Sequence, residues 1–413
     1  MNKQITIIGA GVAGLVAAIN LEQLGYPVSI YDMDQQIGGR VQSTDFENYK
    51  LDHGFQVLLT EYPLVRKYLD YGSLNLQKFE PGSYIIKNNK VKVVGDPLRN
   101  SSLLLPTLFS GIGNLSDKWK IYRLTKSLKN QSIHNIFKEP EISTINFLKK
   151  YGFSDQIILD FFKPFFTGIF LENELQTSSR MFKFIFKMFA EGGAAIPVKG
   201  IQEIPNQLAS KLKNTKIELN KKVNKIQGNE IFFDNGIKIT TDYIIVATEA
   251  SKLIPQLTSA EVKWKSTQTL YFEVEKSIFN KYMIGLFSFR EDTLINSICF
   301  PKTKKAIAVN ELLSVSVVKE HNFTEFELLQ KIKEELKTHL NLVPIKYLKT
   351  FNIPKALPVL NDVRYSCHPS ETQLTDHIYL AGDTLLNGSL NAAMLSGELA
   401  AQAVHEKITG TIL

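Results

Sequence analysis

The stretch ITIIGAGVAGLVAAINL, Ile5–Leu21, decides the fold. It runs 17 residues without a charge. That is short for a membrane span, and it carries three glycines at a diagnostic spacing. Residues 4–8 read as a buried parallel strand, Gly9 to Gly14 as a tight turn, and Leu15 to Leu24 as a small-residue helix ending near Gly25. Val28 to Tyr31 then read as a second strand, which completes a βαβ unit. Gly9-Ala10-Gly11-Val12-Ala13-Gly14 fits G-x-G-x-x-G. In that motif the first glycine permits the turn, the second lets backbone approach a pyrophosphate, and the third lets helix and strand pack closely. The helix start offers free N–H groups, at Val12 and Ala13, and a partial positive charge to phosphates. Asp32 lies 18 residues after Gly14, where a carboxylate can accept hydrogen bonds from ribose hydroxyls.

Two features further out favour a ligand longer than one nucleotide. Gly38-Gly39-Arg40 follows the second strand, so backbone can come close to a ligand while a guanidinium reaches phosphate oxygens. Near the other end, Ile378 to Leu380 reads as a strand running into Gly382-Asp383, and Gly388-Ser389-Leu390-Asn391-Ala392 reads as a second helix start. Asp383 is placed to bind ribityl hydroxyls. The N–H groups near Asn391 and Ala392 are placed to stabilise charge on a reduced flavin ring. The cofactor these features imply is FAD.

Between these ends, residues 90–200 read as mostly helical, with Ser116 as the N-cap of a helix over Asp117–Ser127. Short β runs follow at 217–219, 230–233 and 238–240, and Asp234-Asn235-Gly236 signals a hairpin. Tyr243 to Ala247 is a further buried strand. Strand signals dominate 263–311, where Leu270, Phe272 and Val274 alternate with Tyr271, Glu273 and Glu275. Thr324-x-x-Glu327 is a capping box. The expected class is α/β: a Rossmann-like FAD-binding domain, a parallel sheet with a βαβ unit, assembled from the discontinuous segments 1–60, 200–260 and 365–413. An α+β substrate domain takes 61–199 and 261–364, with its helical part at 90–199 and its sheet part at 261–364.

Composition constrains the rest. The chain has 413 residues, long enough for two or three cores, and its 44% hydrophobic and 22% charged residues are ordinary for a globular protein. Its two cysteines are far apart, so neither a disulfide framework nor a zinc spacing exists. A reducing, cytoplasmic setting and no metal are expected. The net charge of +7 is spread over scattered lysines. There is no Arg-rich arm, so no nucleic-acid partner is expected; the balance reads first as a Lys-decorated surface, with a peripheral contact with an anionic membrane as the alternative.

ITIIGAGVAGLVAAINL, YDMDQQIGGRV and HIYLAGDTLLNGSLNAAMLSGELAA together resemble the FAD-binding signatures of the amine-oxidase-like flavoproteins, the superfamily of protoporphyrinogen oxidases, phytoene desaturases and monoamine oxidases. IPVKGIQEIPNQLA resembles a P-x-G-G-x-x-x-L segment of the same group, although Val198-Lys199-Gly200 stands where a Gly-Gly pair is usual. FFKPFFTGIFL is similar to a substrate-domain stretch of the porphyrinogen oxidases. The resemblance implies that Val223 touches the adenine and that Asp52-His53-Gly54-Phe55-Gln56 lies beside the flavin ring. It also implies hydride transfer to flavin N5 from an apolar substrate such as an isoprenoid or tetrapyrrole. Thr384 to Asn391 holds no Cys, Trp or Tyr, so non-covalent FAD is expected and amine oxidation is not.

His53 is the acid–base candidate near the expected ring, and no catalytic triad is legible. No second glycine fingerprint appears, so no NAD(P)H domain is expected, and electrons leave to oxygen, a quinone or another acceptor. Residues 180–189, RMFKFIFKMF, place Arg180, Lys183 and Lys187 on one helical face. That pattern suits either a basic amphipathic helix on anionic lipid or a core helix with a solvated stripe. Two other functions remain open: an isomerase or mutase that uses reduced FAD without net redox, and a flavin-binding protein without catalysis.

Overall fold

The strand Ile5–Ile8 is buried along its whole length, because it is the middle strand of a parallel sheet covered on both faces. A computed structural model describes residues 3–289, 292–303 and 309–411. Strand order in this five-stranded sheet is Lys216–Glu218, Val28–Tyr31, Ile5–Ile8, Tyr243–Val246, Ile378–Leu380, all parallel. Beginning, middle and end of the chain therefore hydrogen-bond side by side. The helix Val12–Gln23 connects the first two strands and packs against the C-terminal helix Leu390–Thr409. Their approach is close: a Cβ on Gly397 would sit 2.2 Å from the Ala13 carbonyl oxygen.

A three-stranded antiparallel meander, Val223–Gln227, Glu230–Phe233 and Lys238–Thr240, lies beside this sheet. Gly236, at φ +82°, makes its second turn. A seven-stranded mixed sheet forms the other large layer, in the order 346–358, 264–274, 311–317, 295–299, 284–287, 82–87, 90–95. The period-two pattern in its 264–274 strand sorts as the sequence suggests. Leu270, Phe272 and Val274 pack with Leu328, Ile332 and Leu336 of the Glu325–Leu340 helix, whereas Tyr271 joins Tyr49, Leu51, Leu312 and Leu348 on the opposite face. The Thr324–Glu327 capping box opens that helix.

Three local expectations change. Residues 115–129 are helical, but the N-cap is Asn114, whose side chain accepts from Asp117 N–H, rather than Ser116. The Asp117 carboxylate completes the box and also accepts from Ser154, which fixes the earlier start. The region read as helical contains the strands Lys90–Gly95 and Ala194–Pro197 at its edges. In the helix Ser179–Glu191, Lys183 and Lys187 are buried instead of forming a solvated stripe. Three other helices enclose this one, and the two ammonium groups are held inside by Glu139 and Glu191. Residues 290–291 and 304–308 of the strand-rich 263–311 stretch lie outside the described residues.

Candidate functional site

The three fingerprint glycines differ in what a side chain would meet. At Gly9 (φ +109°) a Cβ would lie 2.8 Å from the Ala247 carbonyl oxygen, and at Gly14 it would lie 2.0 Å from that of Gly9. Close packing of turn, helix and strand explains both. At Gly11 a Cβ would meet nothing nearer than 4.0 Å, so the protein itself gives no reason for a glycine there. Gly11 is the N-cap of the 12–23 helix, and no side chain caps that helix and no acid sits in its first turn. Its first N–H groups, Val12 and Ala13 included, thus keep their partial positive charge for an anion.

Asp32 ends the second strand and braces the turn. Its Oδ2 accepts from Ala10 N–H at 2.6 Å and its Oδ1 from Asp34 N–H at 2.9 Å. Burial and the Asp32 charge together raise the Asp34 carboxyl above its usual range. Gly11 and Gly38 form a backbone bridge, and Gly38 N–H donates to the Ala10 carbonyl at 2.9 Å, so the Gly38-Gly39-Arg40 segment lies directly against the fingerprint turn. Gln202 holds the segment from behind by donating Nε2–H to the Ile37 carbonyl at 2.8 Å.

Arg40 forms an ion pair with Asp383, lies 5.1 Å from the centre of the Trp264 ring, and donates to the Ala356 carbonyl at 3.3 Å. Burial works against the guanidinium charge, but Asp383 outweighs it and raises the Arg40 pKa. Gly382 N–H donates to Ser396 Oγ at 2.8 Å, which ties the Gly-Asp turn to the C-terminal helix. At that helix start Ser389 Oγ caps Ala392 N–H, so of the groups expected to face a ring Ala392 N–H is already engaged, while Leu390 and Asn391 form the open first turn. Asn391 accepts Leu64 N–H on Oδ1 and leaves a buried Nδ2 with no partner among the described residues.

The 52–56 segment joins the two layers. Asp52 is buried, accepts from Ser43 Oγ at 2.7 Å and Ile201 N–H at 3.0 Å, and burial pushes its carboxyl up to about 6. The His53 ring packs at a tilt against Phe351, with centroids 4.6 Å apart, and shares a hydrogen bond between Nε2 and Thr44 Oγ1. Burial, with Lys349 nearby, lowers its pKa, and Nε2 is the ring nitrogen that Thr44 engages. Gly54 adopts φ +92°. Gln56 donates to the carbonyls of Arg40 at 2.8 Å and His53 at 3.0 Å. Phe55 meets Phe79 edge-on, and Phe79 stacks on Tyr282 at 4.3 Å. Val223 is buried beside Ile8, Ile244 and Val246, at a bulge in the meander.

The glycine fingerprint, the 38–40 segment, the 52–56 segment, Asp383 and the C-terminal helix start thus meet through named contacts. Sequence reasoning passed over Trp264, Ser396, Gly397 and Gln202. Only Gly397 carried a local signal, the small residue in a helix facing another small-residue helix. Among the described residues no cluster of His, Cys, Asp and Glu is arranged for a metal.

This architecture defines a nucleotide-binding flavoprotein with a second, sheet-based layer. The chain belongs to the flavin-containing amine oxidoreductase family, whose model matches residues 12–405. It is an FAD-dependent oxidoreductase of that family. An L-amino-acid oxidase from Sistrurus catenatus edwardsii is 23% identical over 405 residues, 90% of this chain and 75% of that protein. A hydroxysqualene dehydroxylase from Sinorhizobium fredii is 41% identical over 70 residues, 16% of this chain and 17% of that protein. Several further curated relatives are likewise matched over less than a third of their own length. The crystal structure of an oxidoreductase from Methanosarcina mazei superposes with a TM-score of 0.72 at 15% identity, over 96% of this chain and 99% of that one, so it shares the fold.

Proposed function

We propose that the chain binds FAD non-covalently across Gly9, Gly11, Val12, Ala13, Gly14, Asp32, Gly38, Gly39, Arg40 and Asp383, and oxidises an apolar organic molecule. In this reading segments 1–60, 200–260 and 365–413 hold the nucleotide, and 61–199 and 261–364 hold the substrate. The observation that carries it is the room at Gly11 in front of an uncapped helix start, with Arg40 anchored alongside by Asp383. Val223, Gly54, Phe55, Gln56, Gly382, Leu390, Asn391 and Ala392 complete the proposed contacts, from adenine to ring.

When bound, the flavin supplies the hydride acceptor. The chain's own task is then to orient the substrate and exclude water. Support for an apolar substrate comes from the aromatic run that starts at Phe55 and continues through Phe79 and Tyr282, and from the half-buried rings of Phe161, Phe165 and Phe189 in the helical part. The hydroxysqualene dehydroxylase resemblance points the same way, although it covers a short stretch. His53 stays the acid–base candidate of this proposal, with Nε2 held by Thr44 and one face of its ring against Phe351.

The test is direct. Purified protein should be yellow, and acid precipitation should release the flavin into the supernatant. Anaerobic incubation with apolar isoprenoids or tetrapyrroles should bleach the bound flavin, and an added quinone or oxygen should restore it. Bleaching by L-amino acids or diamines but by no apolar compound would overturn the substrate assignment. Product formed without consumption of any acceptor would make the protein an isomerase.

A further inference from the structure

Eight of the 19 exposed large apolar side chains among the described residues fall within residues 98–122. The helix Leu104–Phe109 has no buried residue at all, and Leu105 is 63% and Phe109 80% exposed. The following helix, Leu115–Lys129, presents Leu115, Trp119 and Tyr122 at helical spacing, with Leu115 72% and Trp119 59% exposed and the Trp119 and Tyr122 rings stacked. Lys118 donates to the Leu108 carbonyl at 2.9 Å and fastens the two helices into one surface. From residue 97 to residue 138 the sequence holds seven Lys or Arg and a single acid, Asp117. Asp117 is fully buried and engaged by Asn114 and Ser154, so the exposed charges carried by this segment itself are all cationic.

We infer that this two-helix face docks on an anionic lipid bilayer. Leucine and phenylalanine tips enter the acyl boundary, Trp119 and Tyr122 sit at headgroup depth, and Arg123, Lys126 and Lys129 meet lipid phosphates. Charge argues for this occupant over a second copy of the chain, since two such cationic faces repel each other. The lipid-facing surface is then distinct from the 179–191 helix, whose Lys183 and Lys187 are buried and paired. No helix among the described residues is long and apolar enough to cross a membrane, so the contact is peripheral.

Flotation of the full chain with vesicles of phosphatidylcholine, or of phosphatidylcholine and phosphatidylglycerol in equal parts, tests it. Expected is flotation with the anionic vesicles alone, at least ten-fold reduced in Leu105→Asp/Phe109→Asp and reversed by high salt. Lipids brominated in the acyl chain should quench tryptophan fluorescence, and Trp119→Phe should remove that quenching. The variants should keep the melting temperature and flavin absorbance of the parent, which separates this inference from the FAD reading. Equal flotation of parent and double variant would overturn it, as would absence of quenching. So would a concentration-dependent dimer that the double variant abolishes, because the face would then belong to a second copy.

Discussion

Arg40 and Asp383, 343 residues apart in the chain, are joined in an ion pair that ties the second glycine segment to the C-terminal Gly-Asp turn. The partners are unequal. Asp383 is buried, whereas 41% of the Arg40 side chain stays open, so the guanidinium retains donors for an incoming phosphate. Arg40→Ala removes those donors and leaves the Asp383 charge buried and alone. A hydrogen bond to a charged group contributes about 1.5–3 kcal/mol. FAD affinity should therefore fall roughly 10- to 100-fold. Titration of flavin-stripped protein, followed by flavin fluorescence, measures it. Unchanged affinity would show that Arg40 serves only to hold Asp383.

The glycine turn separates folding from binding. Gly14→Ala places a methyl group against the Gly9 carbonyl, and overpacking of this kind costs about 1–3 kcal/mol. The melting temperature of the flavin-free protein should drop. Gly11→Ala sits at φ −71°, ψ 177°, ordinary extended backbone with open space around it, so the flavin-free protein should melt as before. Its FAD affinity should fall because the methyl group occupies the ligand's approach. If Gly11→Ala lowers stability and spares binding, the open space is not the phosphate site.

How much of this was written in the sequence depends on how local the cause is. The 5–31 unit, the hairpin at Gly236 and the strand Ile378–Leu380 follow from patterns a few residues long, and they stand where the patterns put them, except that the first helix starts at Val12 rather than Leu15. The start of the 115–129 helix was misplaced by two residues because Ser154, distant in sequence, fixes Asp117 and thereby selects Asn114 as the cap. Trp264 beneath Arg40 had no signal, since only the meeting of two layers brings them together. The buried lysines of the 179–191 helix misled for the same reason: helical spacing finds the face but not what covers it.

Asp52 makes stability depend on pH. Burial raises its carboxyl from an ordinary 3.8 to about 6. Between those values the folded chain binds more protons than the unfolded one, so this group's contribution is full below about pH 4 and is lost as pH rises through 6. The loss is at most about 3 kcal/mol. Asp52→Asn can still accept from Ile201 N–H and does not ionise. Denaturant unfolding at pH 4.5 and 7.5 should show the parent gaining less, or losing more, stability over that interval than the variant. Parallel pH profiles would mean Asp52 stays ionised throughout.

Lys187 reaches back into the protein to close another helix. Its ammonium group donates to the carbonyls of Leu128 at 2.9 Å and Lys129 at 3.1 Å, the end of the 115–129 helix, and to Glu191 at 2.6 Å. A cation at a helix C-terminus also offsets the partial negative charge there. Lys187→Met keeps much of the stem packing and strips the donors, leaving the Lys129 carbonyl and Glu191 short of a partner, while Leu128 keeps the Gln131 N–H, at a cost of about 1–3 kcal/mol. The variant should melt lower, with unaltered flavin absorbance and unaltered flotation on anionic vesicles. Retained stability combined with lost vesicle binding would instead place this lysine at the lipid surface, against its burial.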